Sequence, residues 1–146
     1  MSAEISDETR RQVADRAYHV CEYCLVHQDD LFHGCEVDHI ISVKHQGRTE
    51  LENLAYACFR CNRHKGSDLG SLASATGKLT RFFNPRSDSW PVHFSLNGGR
   101  IEPLTDIGEV TVRIFDFNRL DRVRQRELLA KAGRYPSIEA LARVKE

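Results

Sequence analysis

Two Cys-x-x-Cys pairs, Cys21 with Cys24 and Cys58 with Cys61, stand 33 residues apart in the chain. Two such knuckles supply four thiolates, which fill the tetrahedral shell of Zn²⁺ and leave no position open, so the spacing predicts a structural zinc site. Cys35 is left over and reads as a buried free thiol. Between the pairs lie Asp38 and His39, then Asn53, while Asn62 directly follows Cys61. One carboxylate, one imidazole and two carboxamides gathered by a zinc clamp are what a one-metal phosphodiesterase needs. Oxygen ligands from Asp38 and Asn62 suit Mg²⁺ or Mn²⁺, and a neutral imidazole can take a proton from an attacking water.

Those residues must be positioned by the elements around them. Ser6 is a plausible N-cap, with Asp7 and Glu8 in the first turn and Val13, Ala14 and Ala17 at helical spacing, so a helix to about residue 19 is expected to run into the first knuckle. Residues 36–43 are rich in β-branched side chains and read as a strand ending near Gly47. After a polar stretch, residues 54–58 read as a second strand leading into the second knuckle, and residues 62 to about 72 as a helix weakened by Gly66 and Gly70. Beyond Gly77, residues 90–96 and 100–104 flank Asn97-Gly98-Gly99 as a hairpin. Thr105 can cap a helix carrying Ile107, Val110, Ile114 and Phe117, although Val110, Val112 and Ile114 also fit a strand. A helix over 120–132 ended by Gly133 and another from Ser137 complete the chain. Trp90 and Phe94 read as core residues of this second half.

Three segments carry a family resemblance: Glu-Val-Asp-His-Ile-Ile at 36–41, Leu-Glu-Asn-Leu at 51–54, and Cys-Phe-Arg-Cys-Asn-Arg-His-Lys-Gly at 58–66. Together they resemble the HNH endonucleases, in the variant with two Cys-x-x-Cys zinc pairs, over roughly residues 21–68. The resemblance implies an α+β protein with a zinc-stabilised ββα-metal (His-Me finger) core over 21–73. A helix-rich extension containing a β-hairpin would occupy 77–146, the whole forming one domain. It also implies His39 as general base, Asp38 and Asn62 as ligands of a catalytic Mg²⁺ or Mn²⁺, and Asn53 as the residue that braces the loop and so orients His39. Lys65 matches a basic residue that could contact phosphate. The third letter of the family name is often His and is Asn62 here, which favours hard cations. His64 does not match it and faces away from Asn62 on a helix, leaving it as a substrate-contact candidate. Glu36 shares a strand face with Asp38 and could brace a site residue. His45 stands where many relatives have glycine.

The function this implies is a divalent-metal-dependent DNA endonuclease, with RNA left open as substrate. The alternative is a zinc module of the same fold that binds nucleic acid or protein without cutting. Arg119, Arg122 and Arg126 fall close together around a helix and form a candidate phosphate-contact stripe, although Asp121 and Glu127 are interspersed. His19, His27, His33 and His93 have no comparable context and read as surface or core filler.

Composition sets the outer bounds. With 146 residues, 40% hydrophobic and 29% charged, the chain is long enough for one core and too rich in apolar residues for disorder. No apolar run approaches the roughly 18–20 residues of a membrane span, and the acidic start lacks a signal peptide's pattern, so a cytoplasmic address is expected. A net charge of zero argues at first against a nucleic-acid partner. It is a cancellation: residues 1–75 carry 8 Lys+Arg and 12 Asp+Glu, and residues 76–146 carry 13 and 9. The acidic half attracts cations and the basic half can hold phosphate, with the strong salt dependence that such contacts bring.

Overall fold

The computed structural model describes residues 4–145. It is an α+β structure of six helices and three two-stranded antiparallel sheets among the described residues. None of these helices is long and apolar enough to cross a membrane.

Helix α1 (Asp7–Arg16) starts at Ser6, whose hydroxyl accepts from the Thr9 amide at 3.1 Å. It stops before residue 19 because Tyr18 and His19 take positive φ values of 54° and 62°, turning the chain into the first knuckle. Strands β1 (Cys35–His39) and β2 (Leu54–Cys58) pair antiparallel, Cys35 opposite Cys58 and His39 opposite Leu54. All of β2 is buried. By strand alternation Leu54 and Tyr56 pack with Val13 and Ala17 of α1, while Ala55 and Ala57 join the larger core. The free edge of β2 is closed by side chains. The Glu22 carboxylate accepts from the Tyr56 amide at 2.9 Å, and Arg16 and Arg86 donate to the Leu54 carbonyl at 2.7 and 3.1 Å.

Three expectations for this half are corrected. Strand β1 ends at His39 rather than 43, because residues 51–53 curl into a 3₁₀ turn and offer no ladder beyond Leu54; residues 43–45 form another such turn. Helix α2 (Phe59–Lys65) begins three residues before Asn62, since Cys58 serves as its cap and accepts from the Cys61 amide at 3.4 Å. It ends at Gly66 with φ 53°, and residues 70–72 are strand, not helix. Strand β3 (Gly70–Leu72) pairs with β4 (Leu79–Arg81), and a Cβ at Gly70 would lie 2.2 Å from the Thr80 carbonyl oxygen, so only glycine fits that crossing.

In the carboxy-terminal half, α3 (Trp90–His93) is a short helix with Pro91 in its first turn, where a strand was expected. The hairpin follows as β5 (Phe94–Asn97) and β6 (Arg100–Pro103). Helix α4 (Asp106–Ile114) is capped by Thr105, and the strand alternative is not adopted. Helices α5 (Leu120–Lys131) and α6 (Ile138–Val144) follow, with Gly133 at φ 74° after α5 and Ser137 capping α6. Trp90 and Phe94 are buried. Tyr23 of the first knuckle packs on Phe115 with ring centroids 4.9 Å apart, and Trp90 Nε1 donates to the Tyr23 carbonyl at 2.9 Å. The core is thus built on the knuckle, with the Trp90 indole N–H finding a backbone partner and the Tyr23 hydroxyl buried without one.

Candidate active site

The sulfurs of Cys21, Cys24, Cys58 and Cys61 lie within 4.8 Å of one another and all four residues are buried. The Cys24 and Cys58 sulfurs are 3.8 Å apart. That matches the edge, about 3.8 Å, of a tetrahedron with Zn–S bonds of about 2.3 Å, so the cluster fits zinc. Positive φ at Leu25 folds the first knuckle, and the Cys24 amide points at Cys21 Sγ from 3.5 Å. Burial pushes the Cys21 and Cys61 thiols well up, whereas hydrogen bonds from the other three thiols hold Cys24 well down. Cys35 is outside the cluster, half-buried, its thiol raised by burial.

Arg122 supplies the countercharge. Its Nη2 lies 3.1 Å from Cys61 Sγ and 3.9 Å from Cys58 Sγ, and Nη1 donates to the Phe115 carbonyl at 2.7 Å. Burial opposes its charge, but the Cys61, Cys24 and Cys58 thiolates outweigh burial and its pKa is raised. The expected phosphate stripe is therefore corrected for two of its three members. Arg122 is 3% exposed and faces sulfur; Arg126 is 1% exposed and donates to the Gly99 and Phe117 carbonyls at 2.7 and 2.6 Å. Only Arg119 is exposed, 3.2 Å from Asp121.

At the other end of the hairpin, strand alternation puts Glu36 and Asp38 on one face and His39 on the opposite one. Asn62 Nδ2 donates to Glu36 Oε1 at 2.8 Å, which leaves the carboxamide oxygen of Asn62 free of that bond. Lys65 Nζ lies 3.0 Å from Asp38 Oδ2 and donates to the His39 carbonyl at 2.8 Å. With 2% exposure, Lys65 is an internal tie between α2 and β1 and not the phosphate contact expected of it. Burial raises the Asp38 pKa, with Lys65 pulling in the opposite direction. Asp38 Oδ2 is buried and makes no hydrogen bond beyond that ion pair. An under-coordinated carboxylate oxygen on β1 and a carboxamide oxygen on α2 are donor types that a hard divalent cation takes.

His39 ends β1, half-buried, with Nε2 2.9 Å from Thr49 Oγ1. Asn53 ties the intervening loop to itself: Oδ1 accepts from the Ile41 amide, and Nδ2 donates to the Ile41 and Arg48 carbonyls, each at 2.9 Å. The Ile40 amide, next to His39, donates to the Asn53 carbonyl at 2.8 Å. Gly47 lets the loop close, because a Cβ there would lie 1.7 Å from the Ile41 carbonyl oxygen. Thr49 and Gly47 were not singled out from the sequence. Only the extra-small residue in the polar stretch could have signalled Gly47, and nothing distinguished Thr49 from a surface threonine. His45 is exposed in the loop's 3₁₀ turn. His64 is half-buried on the far side of α2, with its pKa lowered by burial and by Arg122. Among the remaining histidines, His27 caps a 3₁₀ turn and His93 is buried against Phe83 and Phe94.

Comparison with known proteins covers part of the chain. Residues 21–68, about a third of the sequence, match the family model described as HNH endonuclease. The match contains both cysteine pairs and Asp38, His39, Asn53 and Asn62. Neither a curated protein nor a solved structure matches the chain.

Proposed function

Proceeding from an HNH endonuclease segment at residues 21–68, we propose that the protein is a divalent-metal-dependent endonuclease that hydrolyses phosphodiester bonds in DNA on a ββα-metal core. The observation that carries this reading is that Asp38 and His39, inside that segment, are adjacent at the end of β1 and are both tied through Lys65 to α2, the helix that also carries Asn62. The four cysteines would hold zinc as a structural ion.

Asp38 and Asn62 would hold Mg²⁺ or Mn²⁺. Such an ion, when bound, offsets charge on the scissile phosphate and on the leaving 3′ oxygen. Glu36 fixes the amide group of Asn62 and so turns its oxygen outward. Lys65 holds Asp38 and the His39 backbone in fixed relation. His39 acts as general base; in the tautomer that donates Nε2–H to Thr49 Oγ1, Nδ1 would be the nitrogen that accepts the proton of water. Asn53 keeps the loop, and with it the His39 ring, in register.

The test is a supercoiled-plasmid assay with Mg²⁺ or Mn²⁺. Wild type is expected to nick, and His39→Ala to lose about 10²-fold or more in rate, the contribution of a positioned general base. Nicking undiminished in His39→Ala would sink the assignment. One observation favours the non-catalytic alternative: the Lys65 ammonium already neutralises Asp38. Titration calorimetry separates the readings, since a nuclease must show a second divalent site besides zinc.

A further inference from the structure

A cleft of about 640 Å³ opens on the opposite side of α2 from His39. At 100° per residue, Phe59, Arg60, Arg63 and His64 occupy one half of α2, while Asn62 and Lys65 occupy the other. The buried floor of the cleft is the back of the cysteine cluster, with Cys24, Cys58 and Arg122. Its wall is aromatic. A tight turn, closed by the Gly34 amide on the Leu31 carbonyl at 3.2 Å, presents Phe32 and His33 at its two corners. The rings form a chain, Phe32 to His33 at 4.8 Å and His33 to Phe59 at 4.9 Å between centroids. Phe32 is 96% exposed, an arrangement that core packing does not explain.

The rim carries excess positive charge. Arg60 and Arg119 share one carboxylate, Asp121, at 2.8 and 3.2 Å. The Arg63 side chain makes no hydrogen bond or ion pair among the described residues, and stands with its guanidinium 5.8 Å from the centre of the Phe59 ring. An exposed ring face on Phe32, with His33 set edge-on to it and tilted toward Phe59, beside arginines in excess of their one carboxylate, matches the two halves of a nucleotide, a π-face and a phosphate. A base inside a duplex cannot present its face to a concave ring wall, so the occupant must be unpaired. The volume is of the size that takes one small ligand.

We propose that this cleft binds an unpaired nucleotide of the nucleic-acid substrate, its base stacked on the exposed Phe32 ring with His33 and Phe59 along its edge, and its phosphate at Arg60, Arg63 and Arg119. The inference rests on the nuclease reading and adds the substrate class: DNA with a single-stranded segment, which crosses α2 between the cleft and His39. An aromatic wall with a spare arginine also suits a protein partner, but the arginine excess over one carboxylate favours phosphate.

The experiment uses zinc-loaded full-length protein carrying His39→Ala, without added Mg²⁺, and fluorescence anisotropy with labelled oligodeoxythymidine and a labelled duplex of equal length. Phe32→Ala is expected to weaken single-strand binding about tenfold, the effect of one lost base stack, and to leave duplex binding unchanged. Phe32→Trp is expected to restore it, which separates stacking from a folding defect. Arg63→Gln should weaken single-strand binding and lower the salt slope by about one. Phe32→Ala without effect on the single strand, or with equal effect on single strand and duplex, would overturn the proposal. Wild-type plasmid nicking, measured in parallel, separates the two claims. Nicking together with ring-independent binding removes the cleft and leaves the nuclease, whereas ring-dependent binding without nicking removes the nuclease and leaves the cleft.

Discussion

The two ends of the β1–β2 hairpin are built in opposite ways. At the cysteine end the four clustered cysteines are buried, and the first knuckle and the cluster are answered from far along the chain: Arg122 reaches Cys61, Tyr135 donates its hydroxyl to the Cys24 carbonyl at 2.8 Å, and Arg86 and Arg143 converge on the fully buried Glu22 carboxylate. At the His39 end the backbone is likewise tied from a distance, by Lys65, Arg16 and Arg86, but the partners of the His39 ring and its loop are local and half-exposed, a threonine ten residues away and an asparagine that holds its own loop. On the proposed reading, rigidity is supplied at one end so that the other can stay open to water and phosphate. A site that must admit substrate cannot also be packed from all sides, and the fold divides the two tasks along a single strand pair.

The hardest test of that division is loss of the cluster itself. Cys21→Ala, or removal of metal by a chelator, is expected to abolish cooperative folding, because the core is assembled on the knuckle and metal binding is coupled to folding. A melting temperature unchanged by chelator would break the comparison. Next in size is Arg122→Ala, which strips the buried cluster of its countercharge. It should cost about 3–5 kcal/mol of stability, the scale for breaking a buried charge pair. Zinc affinity, read by competition with a chromogenic chelator, should fall about 10–100-fold. An unchanged affinity would show that the guanidinium serves only the Phe115 and Asp116 carbonyls.

What the sequence disclosed follows the same line. Spacing carried the cysteine cluster, because ligand chemistry restricts which residues can stand there, and residue type singled out Asp38, His39, Asn53 and Asn62 as the candidates on which the proposed chemistry rests. Strand β2 was legible from its composition, and the caps Ser6, Thr105 and Ser137 from their preference for helix starts. The long-range partners were hidden. Arg122, Arg126 and Lys65 carry the same charge on a solvated face as against sulfur or carbonyl, so a helical stripe does not tell phosphate contacts from internal ties. Glu22 gave no signal at all between two cysteines, yet it joins the β2 edge to residues 86 and 143. Strand β3 was missed since its glycine reads as a helix breaker, whereas the crossing with Thr80 is what requires it.

The smallest expected loss of stability belongs to the open end, and it sharpens the contrast most. Asn53→Ala removes three hydrogen bonds, all within an exposed loop where water can replace part of each. The net cost should be about 1–2 kcal/mol, well below that of Arg122→Ala. Activity should respond in the reverse order. The loop sets where the His39 ring stands, and a displacement of about 1 Å costs on the order of 10²-fold in rate. Asn53→Ala should therefore nick plasmid about a hundredfold more slowly while melting close to wild type and keeping its zinc. Asn53→Asp keeps an acceptor for the Ile41 amide and loses both donations, so it should fall between the two. If Asn53→Ala instead lost stability and zinc together with activity, the two ends would be one cooperative unit, and the division of labour between them would not hold.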